Sequence, residues 1–371
     1  MKPALVLAVT LCALSVGALF LGSGGRAMAA ENLNWYRCNT HTHTSAPPGS
    51  DANGTPKEVV DWYRAHGYQC VVITDHEYLT DVEPLNRQYP GEFVVLRGQE
   101  ITQIVADPNH PGGVRHAHVN GIGTNRLIMP ILPEKTQSKD GLLKRAATGV
   151  SVAQTFERNV AEVERAQGVA QINHPNLSWS VRLEDLVTLE GPFLLEIWNA
   201  FPTSNNLGGT DEAGVSSLST EALWDALLSR GKTVWAVASD DVHEYRAPDD
   251  RESPTPGKAW IVVQAPSLTA PAVLDAIRSG RFYASTGIAL ESYSADAAGV
   301  SMKIKPAREW SSVMASSTRY STRFIGENGQ VLAVENGLSP QYRFKGNERY
   351  VRASIVDSDG RRAWTQPQHH K

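Results

Sequence analysis

The sequence predicts an α/β domain built on a parallel sheet or barrel, followed by a small antiparallel β domain. Three observations predict it. Short, continuous apolar runs recur along residues 35–285, as in strands buried on both faces. Segments with helix-capping signatures lie between some of them. After about residue 287 the helical period disappears and turn signals take over.

The strands are expected at Val71-Val72-Ile73, Phe93–Leu96, Val169–Ile172, Phe193–Leu195 and Val234–Val237, preceded by one ending near Cys38. Thr55-Pro56-Lys57-Glu58 opens a helix, with Thr as N-cap, Pro in the first turn and Glu completing a capping box; Gly67 ends it. Ser151 to Gln154 opens a second helix, with Val152, Phe156, Val160 and Val163 on one side and Gly168 as its stop. A third runs from about Ser219 to Arg230. Strands alternating with helices mean a parallel arrangement. In the C-terminal part, Asn328-Gly329 and Asp359-Gly360 are hairpin signals, and Val351–Ile355 alternates loosely.

The chain has 371 residues, 41% of them hydrophobic and 20% charged, with a net charge of −4. That composition excludes disorder and collagen-like structure. No Lys/Arg run or basic excess is present, so nucleic acid is not an expected partner. Lys2, the apolar run Ala4–Leu21 and Ala27-Met28-Ala29 read as a secretory signal peptide over residues 1–29. Its removal leaves 33 basic against 39 acidic residues, a net charge of −6. A periplasmic or secreted protein with no further membrane span is expected. Nothing in the sequence sets an oligomeric state. Cys12 leaves with the signal. Cys38 and Cys70 lie in buried strands, where small thiols are expected more than a bridge.

Eleven histidines choose the chemistry. His41 and His43 follow the first strand and point the same way on an extended backbone. Thr74-Asp75-His76, Gly98-Gln99-Glu100, Asn173-His174-Pro175 and Asp240-Asp241-Val242-His243 follow later strands, and His118 sits in His116-Ala-His-Val-Asn120. Active sites of parallel α/β folds assemble at that edge. Mixed nitrogen and oxygen ligands suit Zn, Mn or Fe better than Ca or Mg. His66 at a helix end, His110 in a Pro/Gly loop and His369-His370 in a frayed tail are read as bystanders.

This series of His-x-His, Thr-Asp-His, Gly-Gln-Glu, His-Val-Asn, Asn-His-Pro and Asp-x-His resembles the PHP (polymerase and histidinol phosphatase) superfamily. The stretches Leu195–Asn199, Glu221–Leu228 and Gly280–Gly287, with Ala363–Pro367 near the end, resemble its CehA/McbA-type metallohydrolase branch. The resemblance implies a distorted (β/α)7 barrel over residues 30–287 and a sandwich-like domain over 288–371. It implies two or three divalent metals. His41, His43, Glu100 and Asp241 would hold the first. Glu100 would bridge to a second, completed by His118 and His174. Asp51, His76 and His243 would hold a third. Two departures bear on this set: Pro47-Pro48-Gly49 is inserted before Asp51, and Asp240 adjoins Asp241, which keeps the Asp-x-His spacing. His116 and Asn199 are candidate substrate contacts, and Glu196 belongs at the edge of the site or behind it.

The expected activity is hydrolysis of a small molecule by metal-activated water. A phosphomonoesterase or diesterase is the first expectation. A carbamate, ester or amide hydrolase on the same site is the second. A metal-loaded, non-catalytic binding module is the third. No Gly-x-Ser-x-Gly, Walker or Rossmann fingerprint is present.

Overall fold

The computed structural model describes residues 1, 33–131, 146–250, 252–307 and 318–369. The leader read at residues 1–29 lies outside them except for Met1. Residues Leu33–Lys371 form one compact unit.

Its first part contains β1 (Asn34–Asn39), α1 (Pro56–Ala65), β2 (Cys70–Ile73), α2 (Glu83–Asn86), β3 (Val94–Ala106), β4 (Val114–Ile122), β5 (Ala146–Ala147), α3 (Val152–Arg165) and β6 (Val169–Ile172). There follow α4 (Leu183–Leu186), β7 (Phe193–Asn199), β8 (Gly209–Thr210), β9 (Ser216–Ser217), α5 (Thr220–Leu228), β10 (Val234–Ser239), β11 (Trp260–Ala265), α6 (Ala270–Arg278) and β12 (Phe282–Ser285). The last part contains β13 (Ala289–Asp296), β14 (Gly299–Lys305), β15 (Tyr320–Ile325), β16 (Val331–Asn336), β17 (Gln341–Arg343), β18 (Tyr350–Asp357), β19 (Arg362–Thr365) and β20 (Gln368–His369).

Local chemistry explains the helices. Thr55 and Ser151 each accept from the backbone N–H three residues on, while Glu58 and Gln154 reach back to the cap N–H. Both are complete capping boxes. The apolar stripes then bury Val59, Val60 and Tyr63 of α1, and Val152, Phe156, Val160 and Val163 of α3.

The main sheet runs β10-β7-β6-β4-β3-β2-β1-β11-β12-β19-β18-β15-β16. Neighbours are parallel for β1/β2, β2/β3, β6/β7 and β7/β10. β4 departs from the expected alternation: it turns straight back from β3 and is antiparallel to both β3 and β6. The fold is therefore a mixed α/β sheet with four helices of nine residues or more among the described residues. Beyond β1 and β10 the chain extensions meet in a bridge between Thr42 and Val242. His43 N–H donates to Val242 O at 3.2 Å there, and Asp241 N–H to His41 O at 3.1 Å.

The C-terminal strands extend the same sheet through β12/β19, with Ala284 opposite Trp364. The three strands β13-β14-β17 make a second layer. Val300, Met302 and Ile304 alternate with outward residues along β14 and pack with Phe324, Val351, Ala353 and Ile355. Both hairpin signals are realised, Asn328-Gly329 between β15 and β16 and Asp359-Gly360 between β18 and β19.

Two expectations are corrected. Cys38 and Cys70 are register partners on the parallel pair β1/β2, with Cα atoms 4.5 Å apart, and they form a disulfide rather than two thiols. Strand pairing supplies the close approach that sequence separation hid. His369 is not frayed: β20 pairs with β18, with His369 opposite Tyr350. His370 lies outside the described residues.

Candidate metal centre

All nine residues that the resemblance pointed to converge on one edge of the sheet. His41 and His43 lie just past β1, His76 just past β2, His174 just past β6, and Asp241 and His243 just past β10. Glu100 and His118 instead lie inside β3 and β4. The antiparallel turn brings the first half of β4 back to the same edge, with Thr102 opposite His118. Period two then puts Glu100 and Thr102 on one face of β3.

Glu100 is the centre. Its Oε2 is 3.4 Å from both His41 Nε2 and His43 Nε2, and 3.1 Å from His76 Nδ1. Its Oε1 is 3.1 Å from His118 Nδ1 and 3.4 Å from His174 Nε2. Asp241 Oδ1 stands 3.1 Å from His41 Nε2 and 3.3 Å from His43 Nε2. Asp51 Oδ2 faces His76 Nε2 at 3.4 Å and His243 Nε2 at 3.6 Å. The donors form four overlapping groups: His41-His43-Glu100, His41-His174-Asp241, Glu100-His118-His174, and His43-Asp51-His76-His243.

These residues fit a divalent metal. Bonds of about 2.1 Å at tetrahedral to octahedral angles place donor atoms about 3.0–3.4 Å apart, the spacing found here. The electrostatics agree. Burial opposes ionisation of Glu100, but the charges of His41, His76 and His118 hold its carboxyl well below the ordinary range. Burial likewise opposes charging of His41, yet Asp241, Glu196 and Glu100 raise its pKa well above the usual value. His43 goes the other way, down to about 3, through burial and the neighbouring His243 and His76. A divalent cation at these donors replaces protons as the partner of the carboxylates, so its binding releases protons.

The backbone at the site is constrained. His174, Asp241 and Glu77 are left-handed, with φ of 27°, 49° and 45°. Non-glycine residues adopt that region only where their surroundings impose it.

The two aspartates at 240 and 241 have separate tasks. Asp241 faces the histidines. Asp240 accepts from the backbone N–H groups of Gly257, Lys258 and Ala259, each at 2.8 Å, and from Tyr63 OH at 2.8 Å. Asp75 accepts from Thr44 N–H at 2.6 Å and Thr44 OH at 2.8 Å, which fixes the loop after His43.

Asn199 is fully buried and its amide is spent within the protein. It donates to Glu196 at 2.8 Å and Asp241 at 3.1 Å, and accepts from Phe201 N–H and Ser204 OH. It positions carboxylates and offers no free group to a substrate. His116 is half-buried with its Nδ1 unpartnered, edge-on to His118 at 5.3 Å. Burial and the nearby His118, His174 and His110 lower its pKa to about 4, so the ring is neutral at pH 7.

Several supporting residues carried no signal of their own in the sequence. Thr102 Oγ1 lies 2.5 Å from His76 Nδ1, and its spacing of two from Glu100 on β3 is the one signal that could have found it. Asn173 Nδ2 donates to Glu100 Oε1 at 2.9 Å. Gln171 and Ser239 donate to Glu196, the latter through a very short bond.

No family model matches the chain, and no curated protein does. Among solved structures the chain is similar to a two-domain protein from Bacteroides vulgatus, described as containing a predicted PHP-like metal-dependent phosphoesterase. The identity is 13% and the TM-score 0.41, over 87% of this chain and 90% of that one.

Proposed function

We propose that this chain is an exported metal-dependent hydrolase of the PHP type, CehA/McbA-like, with its strands arranged as a distorted barrel closed at Thr42 and Val242. Its first expected substrates are small phosphate mono- or diesters. The observation that carries the reading is the single carboxylate of Glu100, with three histidines on one oxygen and two on the other. That is the arrangement of a carboxylate shared between two metals. His41, His43, Glu100 and Asp241 would hold one ion, Glu100, His118 and His174 a second, and Asp51, His76 and His243 a third.

Metals held there would supply an activated water of lowered pKa and neutralise charge on the attacked group. The chain does the rest. His41, His43, Glu100, His174 and Asp241 are buried, whereas the side chains of Asp51, His76 and His243 are 59%, 29% and 15% exposed. Substrate therefore enters on the Asp51 side. Hydrolysis joins a water oxygen to phosphorus, breaks the P–O ester bond and returns a proton to the leaving oxygen. Neutral His116, beside His118, can give one hydrogen bond and accept another.

A second reading keeps the metals and changes the bond to a carbamate, ester or amide. One observation favours it. Among the described residues, the ion pairs of the nine candidate ligands are with one another or with Glu196, and none is with Lys or Arg. Arg115 and Arg126 are engaged elsewhere, with Asp185 and Glu162. Export is supported by the Cys38–Cys70 disulfide, which suits an oxidising compartment.

The test is elemental analysis of chelator-free protein, with p-nitrophenyl phosphate, bis-p-nitrophenyl phosphate and a p-nitrophenyl ester or carbamate as substrates. Two or three metals with turnover of a phosphate ester is the expected result. Turnover of the carboxylic substrate alone selects the second reading. Absence of metal after reconstitution with Mn or Zn refutes both.

A further inference from the structure

We propose that Glu196 is a positioning residue that sets the tautomer of His41 and locks three metal-ligand residues to one buried carboxylate. The inference rests on the metal reading above and deepens it.

Glu196 sits on β7, fully buried. It is within bonding reach of five donors. Oε1 faces His41 Nδ1 at 2.8 Å, Gln171 Nε2 at 3.0 Å and the Ser239 hydroxyl. Oε2 accepts from His174 N–H at 2.6 Å and Asn199 Nδ2 at 2.8 Å. An ionised carboxylate only accepts. His41 must therefore carry hydrogen on Nδ1, which leaves Nε2, facing Glu100 and Asp241, as the nitrogen that gives up its proton to a metal. A hydrogen on Nε2 instead would put a proton where a metal bonds.

The other oxygen acts on the backbone. His174 is left-handed at φ 27°, and its N–H bond to Glu196 helps hold it there. The same oxygen binds the Asn199 amide, whose nitrogen also reaches Asp241 Oδ2 at 3.1 Å. One carboxylate thus fixes a ring orientation in His41, a peptide orientation in His174 and a carboxylate orientation in Asp241. Glu196 stands behind His41, with that ring between it and the Nε2 donor, so it acts through the ligands. Carboxylates that orient metal-bound imidazoles commonly govern affinity by about 10- to 100-fold.

Glu196→Gln keeps the shape and removes half the acceptors, setting an amide N–H against either His41 or His174. The experiment has two readouts besides turnover. Zn(II) and Co(II) affinities are measured by competition with a chromophoric chelator. The His41 tautomer is read by nitrogen-15 NMR of metal-free protein at a pH above the raised pKa of His41, where the ring is neutral. We expect a metal affinity about 10- to 100-fold weaker than wild type, an altered Co(II) absorption spectrum, and loss of the pure Nδ1–H form at His41. Should Glu196→Gln not fold, Glu196→Asp keeps the charge with a shorter reach and is expected to lose affinity too, by a smaller factor. Affinity within twofold of wild type in the folded variant, with His41 unchanged, overturns the proposal. A wild-type chain that binds neither ion refutes the metal reading instead, and the tautomer measurement then still decides the role of Glu196.

Discussion

Asp240 and Asp241 are adjacent and serve opposite sides of one strand end. Asp241, left-handed at φ 49°, reaches His41 and His43, while Asp240 gathers three backbone N–H groups and the Tyr63 hydroxyl. Substitution separates the two roles. Asp241→Asn is expected to lose bound metal with little change in stability of the metal-free protein. Asp240→Ala leaves buried donors unpaired, each costing about 1–3 kcal/mol, so its denaturation midpoint should drop sharply. Metal analysis and urea unfolding of both variants decide it; equal metal loss from each would contradict the division.

His41→Ala with His43→Ala should abolish metal binding and hydrolysis while far-UV circular dichroism stays native. Asp51→Ala should remove only the ion held with His76 and His243, lowering the metal count by one per chain. A full count in the Asp51 variant would show that this carboxylate is not a ligand.

The Gln366 amide pairs with both backbone groups of Ala236, Oε1 accepting and Nε2 donating, each at 2.8 Å. β10 ends the hydrogen-bonded path of the sheet, and this side chain takes the place of a neighbouring strand there. Gln366→Ala is expected to destabilise by about 2–6 kcal/mol through two unpaired backbone groups. Because β10 leads into Asp241, the variant should also bind metal more weakly. Unchanged unfolding in urea would show that water replaces the amide.

A buried ion pair gives the pH dependence. Arg352 on β18 is fully buried and bidentate to Asp225 of α5, at 2.7 and 2.6 Å, with Glu221 at 2.9 Å. Burial raises the pKa of Glu221, but Arg352 outweighs it and the net shift is downward. Its folded pKa thus lies below that of the unfolded chain, about 4.3. Ionised Glu221 therefore adds stability above that value, and the contribution fades as pH falls through the lowered folded pKa. Glu221→Gln should cost most near pH 6–7 and progressively less below about pH 4. A stability difference independent of pH would remove Glu221 from the network.

Much of this was readable before any coordinates. Thr55 and Ser151 announced their helices because a cap acts within a single turn. The metal-ligand types were readable because His-x-His places two side chains on one side of an extended segment and because Asp-x-His belongs to the series that resembles the PHP superfamily. Glu221 to Asp225 could be read as part of a helix and of a family-like stretch; the reason for its two carboxylates, the buried Arg352, lies more than a hundred residues away. The outward run of β3 and its return through β4 were not legible either, since an apolar strand looks the same in either direction.

The sequence by itself determined the element types, their caps and the inventory of donor atoms, because periodicity and capping are properties of neighbouring residues. The tertiary structure decided the rest. It reversed β4, paired Cys38 with Cys70, and gathered His41, His174 and Asp241 around Glu196. Strand direction, register and shared hydrogen bonds are set by packing between distant segments, which no local pattern encodes.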